Sequence, residues 1–165
     1  MPRTEIISNS AEDTIALGRR LAETLSPPVL VLMSGDLGSG KTTLSKGIVS
    51  GMGVAREEDV TSPTFTLVHL FHSARDVAAP GRQSPATKVY HVDLYRIDQP
   101  SDIDSLGLED ALAEASVILI EWPDRFSLHT DWPRITVQLE HLEGDRRRII
   151  IEGPQPKLTE IHSHV

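Results

Sequence analysis

The apolar positions change period several times along the chain, and each change marks an element. Ser10-Ala11-Glu12-Asp13 has the form of a capping box, and Ile15, Gly18, Leu21, Ala22 and Leu25 follow at helical spacing. This predicts a helix over about 11–25, preceded by a short strand at 5–8. Pro27-Pro28 ends that helix, and the unbroken apolar run 29–33 reads as a strand buried on both faces. A second helix is predicted over 41–51, with Leu44, Ile48 and Val49 apolar and Gly51 and Gly53 near its end. Segments 64–71 and 89–94 read as strands. Ser101-Asp102-Ile103-Asp104 repeats the capping pattern and predicts a helix to about 115, with Ile103, Leu106 and Leu112 inward. Val117-Ile118-Leu119-Ile120 is another fully buried strand, ending in Glu121. Two alternating stretches, 135–142 and 147–152, flank Glu143-Gly144-Asp145 and predict an antiparallel hairpin.

These elements imply one α/β domain over 1–153. Between two strands, 72–88 is rich in Pro, Gly, Ser and Ala without apolar periodicity, which predicts a mobile loop insertion. The tail 154–165 is expected to be flexible.

Composition narrows the function. The 165 residues carry 16 Lys+Arg against 24 Asp+Glu, a formal net charge of -8. That charge disfavours direct duplex nucleic-acid binding and anionic membranes. The chain has no cysteine, which removes thiolate nucleophiles, disulfides and Cys-based metal sites. The apolar runs are too short to span a bilayer, and the first 14 residues lack the apolar core of a secretion signal. A cytoplasmic protein is expected.

One motif carries chemistry. Gly35-Asp36-Leu37-Gly38-Ser39-Gly40-Lys41-Thr42 fits G-x-x-x-x-G-K-[ST] at every fixed position, between a predicted buried strand and a predicted helix. Such a loop turns backbone N–H groups inward as an anion nest, with the helix N-terminus behind them. Lys41 then supplies charge to the β/γ-phosphates, the Thr42 hydroxyl is placed for Mg2+, and Thr43 continues the cradle. A side chain at Gly40 is expected to crowd that concavity. The metal needs an acidic partner at a strand end. Glu121 closes an unbroken hydrophobic strand and is assigned to magnesium, directly or through water, and Asp93 to orienting the attacking water or the outer metal shell; either carboxylate could instead be a cap or ion-pair partner. Thr64, in Thr61-Ser62-Pro63-Thr64, is the candidate switch hydroxyl, against a plain strand-entry turn. Arg96 and Arg125 are candidates to stabilise transition-state charge, with ordinary surface roles as the alternative. The sole asparagine is Asn9, so the Asn-Lys-x-Asp element of small GTPases is absent and GTP is disfavoured. Trp122 is a candidate to stack on or shield adenine, or a core or rim residue. His69/His72 and His162/His164 are weak metal candidates, and Arg146-Arg147-Arg148 reads first as a solvated turn.

Taken together, the glycine loop, Ser62-Pro63-Thr64-Phe65-Thr66-Leu67, His91-Val92-Asp93-Leu94-Tyr95-Arg96 and Ile120-Glu121-Trp122-Pro123 resemble the TsaE (YjeE) family of bacterial ATPases in tRNA threonylcarbamoyladenosine biosynthesis. The resemblance implies a P-loop NTPase fold with a mixed, mostly parallel sheet, and ATP and Mg2+ as ligands. It implies partners TsaB and TsaD, with tRNA reached only through them, and ATP hydrolysis that resets that complex between turnovers. By motif it carries over phosphate binding to Lys41 and the loop, magnesium to Thr42 and Glu121, and hydrolysis to Asp93. Thr64 falls in the switch-like element and Trp122 near the nucleotide. With no finger arginine identifiable in cis, hydrolysis is expected to be slow, since a finger is worth about 10³ to 10⁵ in rate. Two other readings stay open: a small-molecule or nucleoside kinase with 72–88 as a lid bearing Arg75 and Arg82, and a non-catalytic nucleotide-dependent docking protein.

Overall fold

The computed structural model describes residues 3–61, 68–72, 87–99, 102, 106–125 and 128–154. Thr64, Arg75, Arg82, Ile103, most of the 72–88 insertion and the tail beyond Pro154 lie outside the described residues. In chain order the elements are β1 (Arg3–Ser8), α1 (Ala11–Thr24), β2 (Val29–Ser34), α2 (Lys41–Gly51), a 3-10 turn at Glu57–Asp59, β3 (Val68–His72) and β4 (Lys88–Asp93). There follow α3 (Leu108–Ala113), β5 (Val117–Glu121), a 3-10 turn at Pro123–Arg125, β6 (Arg134–His141) and β7 (Arg147–Glu152). Among the described residues no helix is long and apolar enough to cross a membrane.

The strands form one seven-stranded sheet in the order β1-β7-β6-β2-β5-β4-β3. Its centre is parallel, β6 with β2, β2 with β5, and β5 with β4. The antiparallel pairs lie outside it: β3 on β4, and the β6–β7 hairpin followed by β1. β5 is buried at all five positions, as a central parallel strand covered on both faces must be. β6 alternates, with Ile135, Val137 and Leu139 buried and the residues between them exposed.

Two cores lie against the two faces of the sheet. On one, α1 and α2 cover Val29, Val31, Met33, Val117, Leu119, Ile135 and Val137. On the other, α3 and neighbouring loops cover Leu30, Val92, Ile118 and Ile120. Because strand side chains alternate, Glu121 shares the α2 face with Val117 and Leu119, and His91 and Asp93 share it with Val89. Burial thus decides which way the polar residues point.

Ser10 caps α1 through its hydroxyl, which accepts from the Asp13 amide at 3.1 Å, and the Asp13 carboxylate accepts from the Asn9 amide at 3.0 Å. The capping box is therefore real, shifted back by one residue at its second bond. The helix that the pattern predicts from 101 to about 115 is interrupted: Asp102 is helical, and α3 begins only at Leu108. Gly107 sits at φ 72 as its N-cap, so Leu106 belongs to a turn; Leu108 and Ala111 are buried, and Leu106 and Leu112, half-buried, pack against the same core as expected. A helical run starting at 101 cannot pass through that left-handed residue.

α1 and α2 meet at unusually short range. A Cβ on Gly47 would lie 2.1 Å from the Ile15 carbonyl oxygen and 2.9 Å from the Gly18 Cα. Both obstacles are backbone, so the helices would have to separate. We predict that Gly47→Ala lowers stability by about 1–3 kcal/mol in urea unfolding, against the roughly 1 kcal/mol gain that helix propensity alone gives. A net gain would show that the contact yields freely.

Candidate functional site

The loop between β2 and α2 turns on three glycines with positive φ, at 35, 38 and 40. Gly40 is the N-cap of α2 at φ 107, ψ 15, a conformation costly for any residue with a Cβ. Its surroundings are roomy: a Cβ there would meet Leu139, Arg147 and Thr14 side chains only at 3.6–4.0 Å. The backbone, not crowding against protein atoms, demands the glycine. A glycine cap offers no side-chain acceptor, and no acidic residue occupies the first turn of α2. α1 has both a capping hydroxyl and two acidic residues there. The N-terminal amides of α2 are left for an anion to satisfy.

They open on a cavity of about 530 Å³ at the carboxyl edge of the sheet. Leu37, Gly38, Gly40, Lys41, Thr42, Thr43, Asp93, Glu121 and Trp122 all line it. Gly35, Asp36 and Ser39 act one layer back. The Lys41 ammonium donates to the Gly35 carbonyl at 2.5 Å, to the Asp36 carbonyl at 2.9 Å and, at 3.4 Å, to the Ser39 hydroxyl. Lys41 is only 5% exposed. Burial pushes its pKa below the ordinary lysine value, opposed by the charges of Glu121, Asp93 and Asp36.

Asp93 and Glu121 are register partners at the ends of adjacent parallel strands, 3% exposed each. The Thr42 hydroxyl is 3.3 Å from each Glu121 carboxylate oxygen. The Tyr95 amide donates to Asp93 Oδ1 at 2.9 Å. Trp122 follows Glu121 with φ 61, a region that a bulky residue occupies only where its surroundings enforce it. Its amide donates to the Met33 carbonyl, extending the β2–β5 ladder. Its ring lies 4.3 Å from the Lys41 ammonium and 5.0 Å from the Tyr95 ring.

Several residues join the site that the sequence did not assign to it, among them His91, Tyr95 and Arg147. His91 is fully buried, and its Nε2 lies 2.5 Å from Glu121 Oε2. It donates through Nε2 and so fixes one carboxylate oxygen beside Thr42. Its place two residues before Asp93 on a strand was the available signal. Tyr95 and Arg147 also line the cavity. Only the sheet order brings Arg147 there. Arg96 is exposed and does not line the cavity, and Arg125 lies in the 3-10 turn after β5. His69 and His72, three apart on β3, face opposite sides of the strand and form no common metal site.

Fold and loop together define a P-loop NTPase fold, with a mostly parallel mixed sheet flanked by helices and an antiparallel hairpin near the C-terminus. The crystal structure of Bacillus subtilis YdiB matches it with a TM-score of 0.65, at 23% identity, over 98% of this chain and 93% of that one. The family is narrower: a model described as "Threonylcarbamoyl adenosine biosynthesis protein TsaE" matches residues 8–150, and the chain belongs to this TsaE family. Its relatives include the tRNA threonylcarbamoyladenosine biosynthesis protein TsaE of Rickettsia bellii, 35% identical over 89% of this chain and 93% of the relative. The protein of the same description from Mycobacterium tuberculosis is 39% identical over 84% of this chain and 79% of the relative. The one from Treponema pallidum is 31% identical over 88% and 97%.

The His91–Glu121 contact makes a stability prediction. Removing one partner leaves a buried polar group unsatisfied, so His91→Leu and Glu121→Leu should each cost about 1–3 kcal/mol, and the double variant less than their sum. Urea unfolding of all four proteins gives the coupling. Strict additivity would mean that the two side chains do not bond.

Proposed function

We propose that this protein binds ATP with Mg2+ and hydrolyses it slowly, acting on a TsaB–TsaD complex to reset it between turnovers in threonylcarbamoyladenosine modification of tRNA. Membership of the TsaE family supports the pathway. The observation that carries the ATPase reading is the Thr42 hydroxyl 3.3 Å from the Glu121 carboxylate, on the wall of a cavity whose floor is an uncapped helix N-terminus.

The residues fit the ligands. The α2 amides and Lys41 suit the β- and γ-phosphates. Mg2+ takes one or two protein oxygens and completes its shell with phosphate and water, which matches a single hydroxyl beside a single carboxylate. When bound, the ion neutralises charge on the phosphate oxygens. The rest falls to the protein. Thr42 and Glu121 hold the ion, and His91 holds Glu121. Asp93, fixed by the Tyr95 amide, orients the attacking water and takes up its proton. Trp122 and Tyr95 form an aromatic wall beside Lys41 that limits access of bulk water. A phosphate arriving in the cavity offsets the desolvation of Lys41 and draws the ammonium away from the Gly35 and Asp36 carbonyls.

That displacement is measurable through the adjacent indole. ATP titration should change tryptophan emission in the wild type and in Trp132→Phe but not in Trp122→Phe, and Lys41→Ala should weaken ATP binding at least about tenfold. An unchanged affinity in Lys41→Ala would remove the phosphate assignment. Turnover measured with the protein alone and with TsaB, TsaD and tRNA tests the wider reading. Slow release of inorganic phosphate that the partners accelerate is the expected result. Brisk turnover without partners contradicts it, and transfer of labelled γ-phosphate to a nucleoside or sugar favours a kinase.

A further inference from the structure

The face of the sheet away from α1 and α2 is covered unevenly. The connections from β4 to β5 and from β5 to β6 advance the same way across the sheet, so right-handed crossovers put both on the α3 face. The first carries α3. The second, 122–133, joins the strands on either side of β2 and holds only the 3-10 turn Pro123–Arg125 among the described residues. A crossover of this kind ordinarily supplies a full helix. Leu128 reaches back into the core on this face in its place.

Beside Leu128 lies a second cavity, of about 440 Å³, which shares no lining residue with the phosphate cavity. Leu30, Leu32 and Ile120 form its floor on the sheet, and β6 presents the exposed Thr136 and Gln138 on the side away from Leu128. Leu32 is half-buried, although its neighbours along β2 are fully covered. A groove apolar on one side and polar on the other matches the divided surface of an amphipathic helix. From Arg134 to Gln138 it follows β6 for about 13 Å, at about 3.3 Å per residue, a length that about nine helical residues span.

The charges at its two ends set a direction. Arg134 begins β6 at the amino edge of the parallel strands, and Asp124, just past the end of β5, lies at the carboxyl edge. Arg134 donates to the Leu128 and Thr130 carbonyls at 2.8 and 3.5 Å, and among the described residues neither it nor Asp124 has an ion-pair partner. A helix antiparallel to β2 brings its free N–H groups, which carry partial positive charge, to Asp124, and its free carbonyls to Arg134. A crossover helix would run in that same direction. A helix laid the other way meets both charges with the wrong sign.

We propose that this groove receives an amphipathic helix of a partner protein, antiparallel to β2, with its apolar side on Leu32 and Leu128, its amino end at Asp124 and its carboxyl end at Arg134. The partner helix completes the layer that the β5–β6 connection leaves open. The proposal does not rest on the phosphate reading of the glycine loop.

The probe is a hydrocarbon-stapled peptide of about twelve residues with free termini, leucines at i, i+3, i+4 and i+7, and a fluorophore on its polar side. Fluorescence anisotropy should show saturable binding below about 1 mM, weakened at least about tenfold in Asp124→Lys and in Thr136→Lys. The same peptide with its leucines moved off helical spacing should stay unbound. Both substituted positions are exposed, so the thermal midpoint should match the wild type. Failure of the regularly spaced peptide to bind overturns the proposal, and so does binding that neither substitution weakens. A second readout tests direction. The chain has no cysteine, so Gln138→Cys and Thr130→Cys each provide a single thiol, one at either end of the groove. A peptide with an activated disulfide at its amino end should couple faster to Gln138→Cys. Equal or reversed rates overturn the antiparallel placement and the proposal with it.

Discussion

Everything at the site depends on the side-chain alternation of two adjacent parallel strands held in matched register. Val117 and Leu119 of β5 must face α1 and α2, because the core on that side has no other occupant at those positions. Glu121 follows them onto the same face, and so does Asp93 through Val89 on β4. A slip of one residue would turn both carboxylates to the opposite face and bury Ile118 and Ile120 against the wrong core. The hydrophobic core thereby fixes the direction of two acidic groups that are themselves almost wholly buried. Burying them is unfavourable unless they are partnered, and the partners are close: Thr42 and His91 for Glu121, the Tyr95 amide for Asp93.

A second constraint sets the other wall. The glycines at 18 and 47 let α1 and α2 approach backbone to backbone, which brings the first turn of α1 alongside the loop. α2 meanwhile begins without a cap and carries a buried lysine whose charge is disfavoured by desolvation. Both features weaken the protein alone, and a phosphate bound there would relieve both. Local rules of stability are broken where the ligand is expected to make good the deficit.

Much of this was legible in the sequence because the deciding signals are local. The apolar runs marked β2 and β5, the capping hydroxyl marked α1, and the glycine-lysine-threonine spacing marked the loop. Thr42, Glu121 and Asp93, far apart in the chain, were brought together by strand-end reasoning alone. What was not legible depends on non-local facts. The predicted helix is interrupted because Gly107 adopts a left-handed conformation between the helical Asp102 and α3, which no capping pattern reveals. His91 reads as an ordinary strand residue until the register sets it beside β5. Arg147 reads as part of a solvated basic turn, and only the insertion of β6 between β2 and β7 carries that turn to the loop.

The central claim is that Thr42 and Glu121 hold one divalent ion together with a nucleotide. Electron paramagnetic resonance of Mn2+, titrated into the protein with a non-hydrolysable ATP analogue, reads this directly. The account predicts one tight ion per chain that requires the nucleotide and is lost in Thr42→Val and in Glu121→Gln, while far-ultraviolet circular dichroism stays unchanged. Mn2+ binding of equal strength in both variants would contradict it.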